Sequence, residues 1–185
     1  MLQIILIVIG ISIAICSVPS IRRRVSTDAY GHIIWAVFAV YSISNLYFTL
    51  FSRVPMPYII FEWRPFASYA SMFQETGDVV GDQLNSWLAR FFMETSYPIQ
   101  TIILNILFYI PLSYLLSELF HKLSNKQILL FSFLATFCTE LTQLIFKLGW
   151  CETDDLIHNM FGAVIGLAIH RWQEKMGFLG TQNQE

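Results

Sequence analysis

An all-α fold embedded in a membrane, a helical bundle of about five transmembrane helices, is predicted by three observations. Charged residues make up only 13% of the 185-residue chain, about half the share of a soluble domain. Hydrophobic residues make up 55% and aromatic residues 16%, which points to lipid as the solvent. The apolar residues also fall in runs close to the roughly 20 residues that a helix needs to cross the hydrocarbon core.

Five runs qualify. The first spans about Leu2 to Val18 and the second about Gly31 to Phe51. The third spans about Tyr97 to Phe120 and the fourth about Ile128 to Trp150. The fifth, about Asp155 to His170, is shorter and polar at its start. The first run has no positive charge before it and no small-residue cleavage pattern after it, so it reads as a retained helix rather than a signal peptide. Residues 1–30 then form an N-terminal transmembrane helix with a basic cytoplasmic loop. Residues 31–172 form the main transmembrane domain, and residues 173–185 a cytoplasmic tail.

Orientation follows from the basic residues. Arg22 to Arg24, Lys122 and Lys126, and Arg171 and Lys175 all fall on one side of a five-helix arrangement. That side is expected to be the cytoplasm, with the N-terminus outside and the C-terminus inside. The stretch from Ser52 to Ser96 becomes a long outer loop. Within it Leu84, Trp87, Leu88, Phe91 and Phe92 share one apolar helical face. A short interfacial helix is expected there.

Net charge is −2. Without a basic stripe to displace counterions, nucleic acid is excluded as a partner. Cys16 and Cys138 lie in apolar runs and read as small packing residues, and Cys151 lies in a loop. Their spacing matches neither a zinc motif nor a disulfide framework.

Polar residues inside the apolar runs are the candidate site. Glu140 lies about eight residues from the outer end of the fourth run, roughly 12 Å deep. Gln143 shares its helical face, and Lys147 continues that face outward. Asn105 in the third run and Asn159 in the fifth fall at the same level. Asp155, Asp154 and Glu152 stand just above it. Amides also act as glue between helices, at about 0.6 kcal/mol per pair. A carboxyl in lipid costs a few kcal/mol or more, so Glu140 and Asp155 carry the functional reading. Gly162 and Gly166 form a GxxxG step on the stripe of Asp155 and Asn159, suited to close helix packing. That packing is expected against the third and fourth helices, bringing Asn159 to Glu140, in preference to dimerisation. His158 is expected to face elsewhere, and His121 and His170 to be interfacial. Glu140, Glu152, Asp154 and Asp155 have the oxygen chemistry for a hard cation, but their spacing matches no known loop, so no metal and no cofactor is expected.

These residues resemble the VanZ-like family of bacterial membrane proteins, over about Phe38 to Trp172. The resemblance rests on the run from Tyr47 to Arg53, the loop element Trp63-Arg64-Pro65-Phe66, and Asn105 to Pro111. Its strongest part is Glu140-Leu141-Thr142-Gln143 followed by Cys151 to Asp155, Asn159, Gly162 and Gly166. Three departures stand out. Glu62 and Trp63 replace an Asn-Leu pair common in relatives. Ser113 stands where many have glycine. An arginine common near Gly149 is absent, leaving Lys147 as the nearest basic residue in that loop. The resemblance implies a role in the bacterial cell envelope, affecting susceptibility to teicoplanin-type or lipoglycopeptide antibiotics. It supplies no reaction.

Three functions fit. A binder would hold an amphiphile, a lipoglycopeptide tail or a lipid-linked wall precursor in a polar cleft at the outer leaflet. An intramembrane enzyme would use Glu140 and Asp155 as an acid–base pair on a lipid or lipid-linked wall precursor. A structural protein would serve a larger envelope complex. The sequence shows no Ser-His or Cys-His arrangement and no arginine cluster, so binding is favoured over catalysis. The binding residues are Asn105, Glu140, Gln143, Asp155 and Asn159. Lys147, Glu152, Asp154, Pro65, Phe66, Gly162 and Gly166 support them, and membrane lipid is an expected partner.

Overall fold

The computed structural model describes residues 17–67, 69 and 96–178, together with Gly10. Most of the first expected helix and the whole Leu84 to Phe92 segment, Trp87 included, lie outside the described residues. The end of the first helix, α1, is helical at residues 17–22. Four further helices follow: α2 (Thr27–Leu46), α3 (Ser96–Leu119), α4 (Asn125–Phe146) and α5 (Thr153–Lys175).

Local chemistry sets the helix ends. Ser26 caps α2 by accepting the Ala29 N–H, so the helix starts earlier than the hydrophobic run suggests. A capping box between Ser124 and Gln127 starts α4. At its other end Lys147 takes the left-handed conformation, φ 58°. The Leu148 N–H donates back to the Gln143 carbonyl at 2.9 Å, the bond that ends a helix in a Schellman turn. The fourth helix therefore stops at Phe146, short of the expected Trp150. The residues thus released form β2 (Trp150–Glu152), which pairs in parallel with β1 (Ile60–Glu62). An all-helical reading did not anticipate this small sheet.

Three segments are long and apolar enough to cross a membrane: Thr27–Phe51, Ile99–Leu119 and Asn125–Phe146. Their outward faces carry large apolar side chains such as Val40, Ile43, Phe131 and Ile145, all exposed. Cys138 is also exposed and packs in no core, contrary to its expected role. Helix α5 has 23 residues, about 35 Å of helix, but it is too polar to meet the same test.

The most extensive helix pairing joins α3 to α5. A Cβ at Gly162 would overlap the Ile106 carbonyl, and one at Gly166 would overlap the Ile110 carbonyl and the Ser113 hydroxyl. The GxxxG face is thus used within the chain, with backbone against backbone. Pro111, inside α3, removes the donor for the carbonyl four residues back. One residue along, the Tyr41 hydroxyl donates to the Phe108 carbonyl at 2.7 Å.

A buried polar hub closes the end of the bundle away from the sheet. Glu118, 3% exposed, accepts from Arg22 Nη1 (2.9 Å) and Tyr30 Oη (2.6 Å) and pairs with His170 Nε2 (2.8 Å). It joins the end of α1 to α2, α3 and α5. His170 is accordingly buried, not interfacial: a carboxyl inside the bundle needs such partners.

Candidate functional site

The opposite end gathers the residues singled out in the sequence. Its frame begins where α2 widens into a π-helix, Tyr47–Phe51. Such turns disturb the ladder of backbone bonds and are frequent at functional sites. The Ser52 N–H reaches the Tyr47 carbonyl, five residues back, at 2.8 Å. The last carbonyls of a helix lack intrahelical donors, and here the Gln143 amide donates to the Thr49 carbonyl at 3.1 Å. The chain leaves this end through Arg53 and returns to α4 through a bond from the Met56 N–H to the Lys147 carbonyl, 2.8 Å. The β1–β2 pair then fixes the loop against Trp150–Glu152.

Glu140, Gln143 and Asn159 form the floor, at 7%, 2% and 4% exposure. Asn159 Nδ2 donates to Thr136 Oγ1 at 2.7 Å, one turn from Glu140 on α4. Asn159 is thus brought to the turn before Glu140, and the Thr136 hydroxyl it bonds is also bonded to buried Tyr109. The Glu152 backbone N–H is directed at the Glu140 carboxyl. Asn105 and Asp155 are half-buried and form the rim, where the Asn105 amide donates to Asp155 Oδ1. Three helices therefore bring Asn105, Glu140, Gln143, Asp155 and Asn159 to one region.

The cation of the site was not the one expected. The Arg53 guanidinium lies against Gly149, where it would meet any Cβ, with Gln143 Oε1 on the same side. Its charge acts on both Glu140 and Asp155. Lys147 instead forms the left-handed end of α4, which turns the chain off the face that Glu140 and Gln143 share. The missing arginine near Gly149 is thus replaced in space by one from the end of α2. Only its place in the run from Tyr47 to Arg53 hinted at this.

Other residues serve as scaffolding. Asp154, 2% exposed, accepts the Phe66 N–H, and the Thr153 hydroxyl reaches the Glu62 and Trp63 carbonyls at 3.3 and 3.1 Å. Asp154 therefore holds the Trp63 to Phe66 loop rather than the cleft. Phe66, after Pro65, takes φ 64°, a costly conformation for a bulky residue, kept by that bond. His158 is buried and bonded to Tyr69 Oη at 2.8 Å, another tie to the loop. Arg64 holds the half-buried Glu62 carboxyl down to about 2 through paired hydrogen bonds. Cys151, expected in a loop, is the middle residue of β2 and is buried. Burial, with the carboxyl charges of Glu140, Asp155 and Glu152, pushes its thiol up to about 11. No three His, Cys, Asp or Glu side chains among the described residues converge as metal ligands.

The family model described as VanZ/LLP1 matches residues 32–173. The chain belongs to the VanZ/LLP1 family. No curated protein and no solved structure matches it. The matched VanZ/LLP1 segment starts within α2 and ends within α5, so it contains the π-turn, Arg53, the sheet and the whole polar region. The departures of this VanZ/LLP1 member acquire a place in the fold: Ser113 packs its hydroxyl against Gly166, and Glu62 anchors Arg64.

Proposed function

We propose that this VanZ/LLP1-family protein lowers susceptibility to teicoplanin-type or lipoglycopeptide antibiotics by holding an amphiphilic or lipid-linked ligand in the polar cleft. It resides in the bacterial cytoplasmic membrane and crosses it five times, with the cleft at the outer leaflet. The observation that supports this reading is the buried floor of Glu140, Gln143 and Asn159 beneath a half-buried rim of Asn105 and Asp155, beside helices apolar enough to span. A polar region flanked by apolar helices suits a molecule with one polar and one apolar part. The test is retention by the purified full chain of radiolabelled teicoplanin, its deacylated form and a lipid-linked wall precursor. Stoichiometric retention of a lipid-tailed molecule, without product, is expected. Failure to retain any of them overturns the proposal.

A second reading has one observation in its favour. Glu140 is buried while Asp155 is half-buried at the rim, and carboxyls in unlike environments can divide acid and base roles. An intramembrane enzyme acting on a lipid-linked precursor would show turnover that disappears in both Glu140→Gln and Asp155→Asn.

The orientation has its own test. Cys151 suits it poorly, because the thiolate is the reacting form and this thiol is buried with a raised pKa. In a chain with Cys16, Cys138 and Cys151 replaced by serine, Val54→Cys places a thiol on a residue 81% exposed. An impermeant maleimide on intact cells should label it and leave Lys122→Cys untouched. The reverse pattern would put the cleft on the cytoplasmic side.

A further inference from the structure

We infer that the cleft takes a primary ammonium group, a head that donates several hydrogen bonds and carries positive charge. The inference rests on the proposed binding function and narrows its ligand. It comes from which atoms of the site are already engaged. Gln143 Nε2 donates to the Thr49 carbonyl and Asn105 Nδ2 to the Asp155 carboxyl. The Thr49 carbonyl accepts only, so the orientation of the Gln143 amide is fixed by chemistry. Asn159 Nδ2 is spent on Thr136. The buried side-chain atoms of the floor that have no hydrogen-bond partner among the described residues are Glu140 Oε2, Gln143 Oε1 and Asn159 Oδ1.

All three are oxygens, and all three accept once the Glu140 carboxyl is ionised. Glu140 and Gln143 are one turn apart on α4, and Asn159 is tied to Thr136 on the same face of that helix. A buried polar atom without a partner costs about 1–3 kcal/mol, so a ligand that meets these atoms gains most by donating. An ammonium brings three N–H donors and no acceptor. A phosphate brings only oxygens and would add acceptors to acceptors.

Charge points the same way. The carboxyls of Glu140, Asp155 and Glu152 act on one another across the site, with Arg53 as the cation acting on the first two. A cationic head favours the ionised form of these carboxyls, and charge-assisted hydrogen bonds are about twice as strong as neutral ones. The ammonium can come from an ethanolamine-type lipid head or from an amphiphile bearing a free amine.

The experiment compares heads that differ in N–H donors and in charge on tails of one length. The purified full chain, in nanodiscs of neutral lipid, is titrated with dodecylammonium, dodecyltrimethylammonium and dodecyl phosphate. In parallel, retained phospholipids with ethanolamine or choline heads and identical acyl chains are counted by native mass spectrometry. Trimethylation keeps the charge and removes every N–H. The expected result is about tenfold tighter binding of the primary ammonium than of its trimethylated form, the worth of a lost charge-assisted bond. That preference should vanish in Gln143→Leu and Glu140→Gln. A preference in both series supports a lipid head as the source, and one confined to the dodecyl series a free amphiphilic amine. Equal binding of the two ammonium heads, or tightest binding of phosphate, overturns the inference while leaving the binding function standing. No binding of any head in either series counts against both. The comparison of heads on the unmodified protein needs no variant to fold.

Discussion

Gly166→Leu is expected to abolish accumulation of the folded protein in the membrane, and Gly162→Leu to do nearly the same. A side chain at either position runs into α3 backbone, the carbonyls of Ile110 and Ile106. Overpacking a core commonly costs about 1–3 kcal/mol, when neighbouring side chains can move aside. A backbone carbonyl within a helix cannot move without the helix, so the whole α3–α5 pairing must separate. That pairing also aligns Asn105 with Asp155, so the site would be lost with it. The measurement is membrane level and monodispersity in detergent, with Val164→Leu, on an exposed face of the same helix, as control. A Gly166→Leu protein that accumulates normally and changes only its oligomeric state would show that the glycine face serves dimerisation instead.

Glu140→Gln and Asp155→Asn are each expected to reduce antibiotic protection to the level of a host lacking the protein, while membrane level is unchanged. Both substitutions keep shape and the ability to accept a hydrogen bond, and remove the carboxyl's charge or titrating proton. If these residues were glue between helices, the amides would serve about as well, since such pairs contribute about 0.6 kcal/mol. Glu140 does not fit that role. It lies buried with Oε2 lacking a hydrogen-bond partner among the described residues, so its geometry is not that of a saturated interhelical bond. Asp155 does bond across helices, to Asn105, yet it also faces the Arg53 and Glu152 charges. Full protection by both variants, measured as drug susceptibility alongside immunoblotted membrane level, would sink the site.

Much of the helical plan was legible because it rests on local rules. Hydrophobic run length marked α2, α3 and α4, and the depth of each polar residue along its own helix follows from a fixed rise per residue. Glu140, Gln143 and Asn105 could therefore be assigned to one level before their mutual positions were known. The glycine spacing implied close backbone packing in the same way, since only the absence of Cβ atoms matters.

Tertiary structure decided what depends on contacts between distant segments. Arg53 occupies the place by Gly149 because a π-turn and the Met56–Lys147 bond swing the α2 exit across the end of α4, and no spacing rule spans 96 positions of sequence. Asp154 and Asp155 are adjacent in the chain yet divide between loop and cleft, because successive residues of a helix point about 100° apart and the neighbours on each side differ. Lys147 followed the helical face of Glu140 only so long as the helix continued. Its left-handed φ ends α4 and diverts it. Run length, depth and small-residue spacing are properties of one helix at a time, so the sequence alone determined them. The cation of the site, the division of its carboxyls and the orientation of its amides are relations between helices, and these only the folded chain decided.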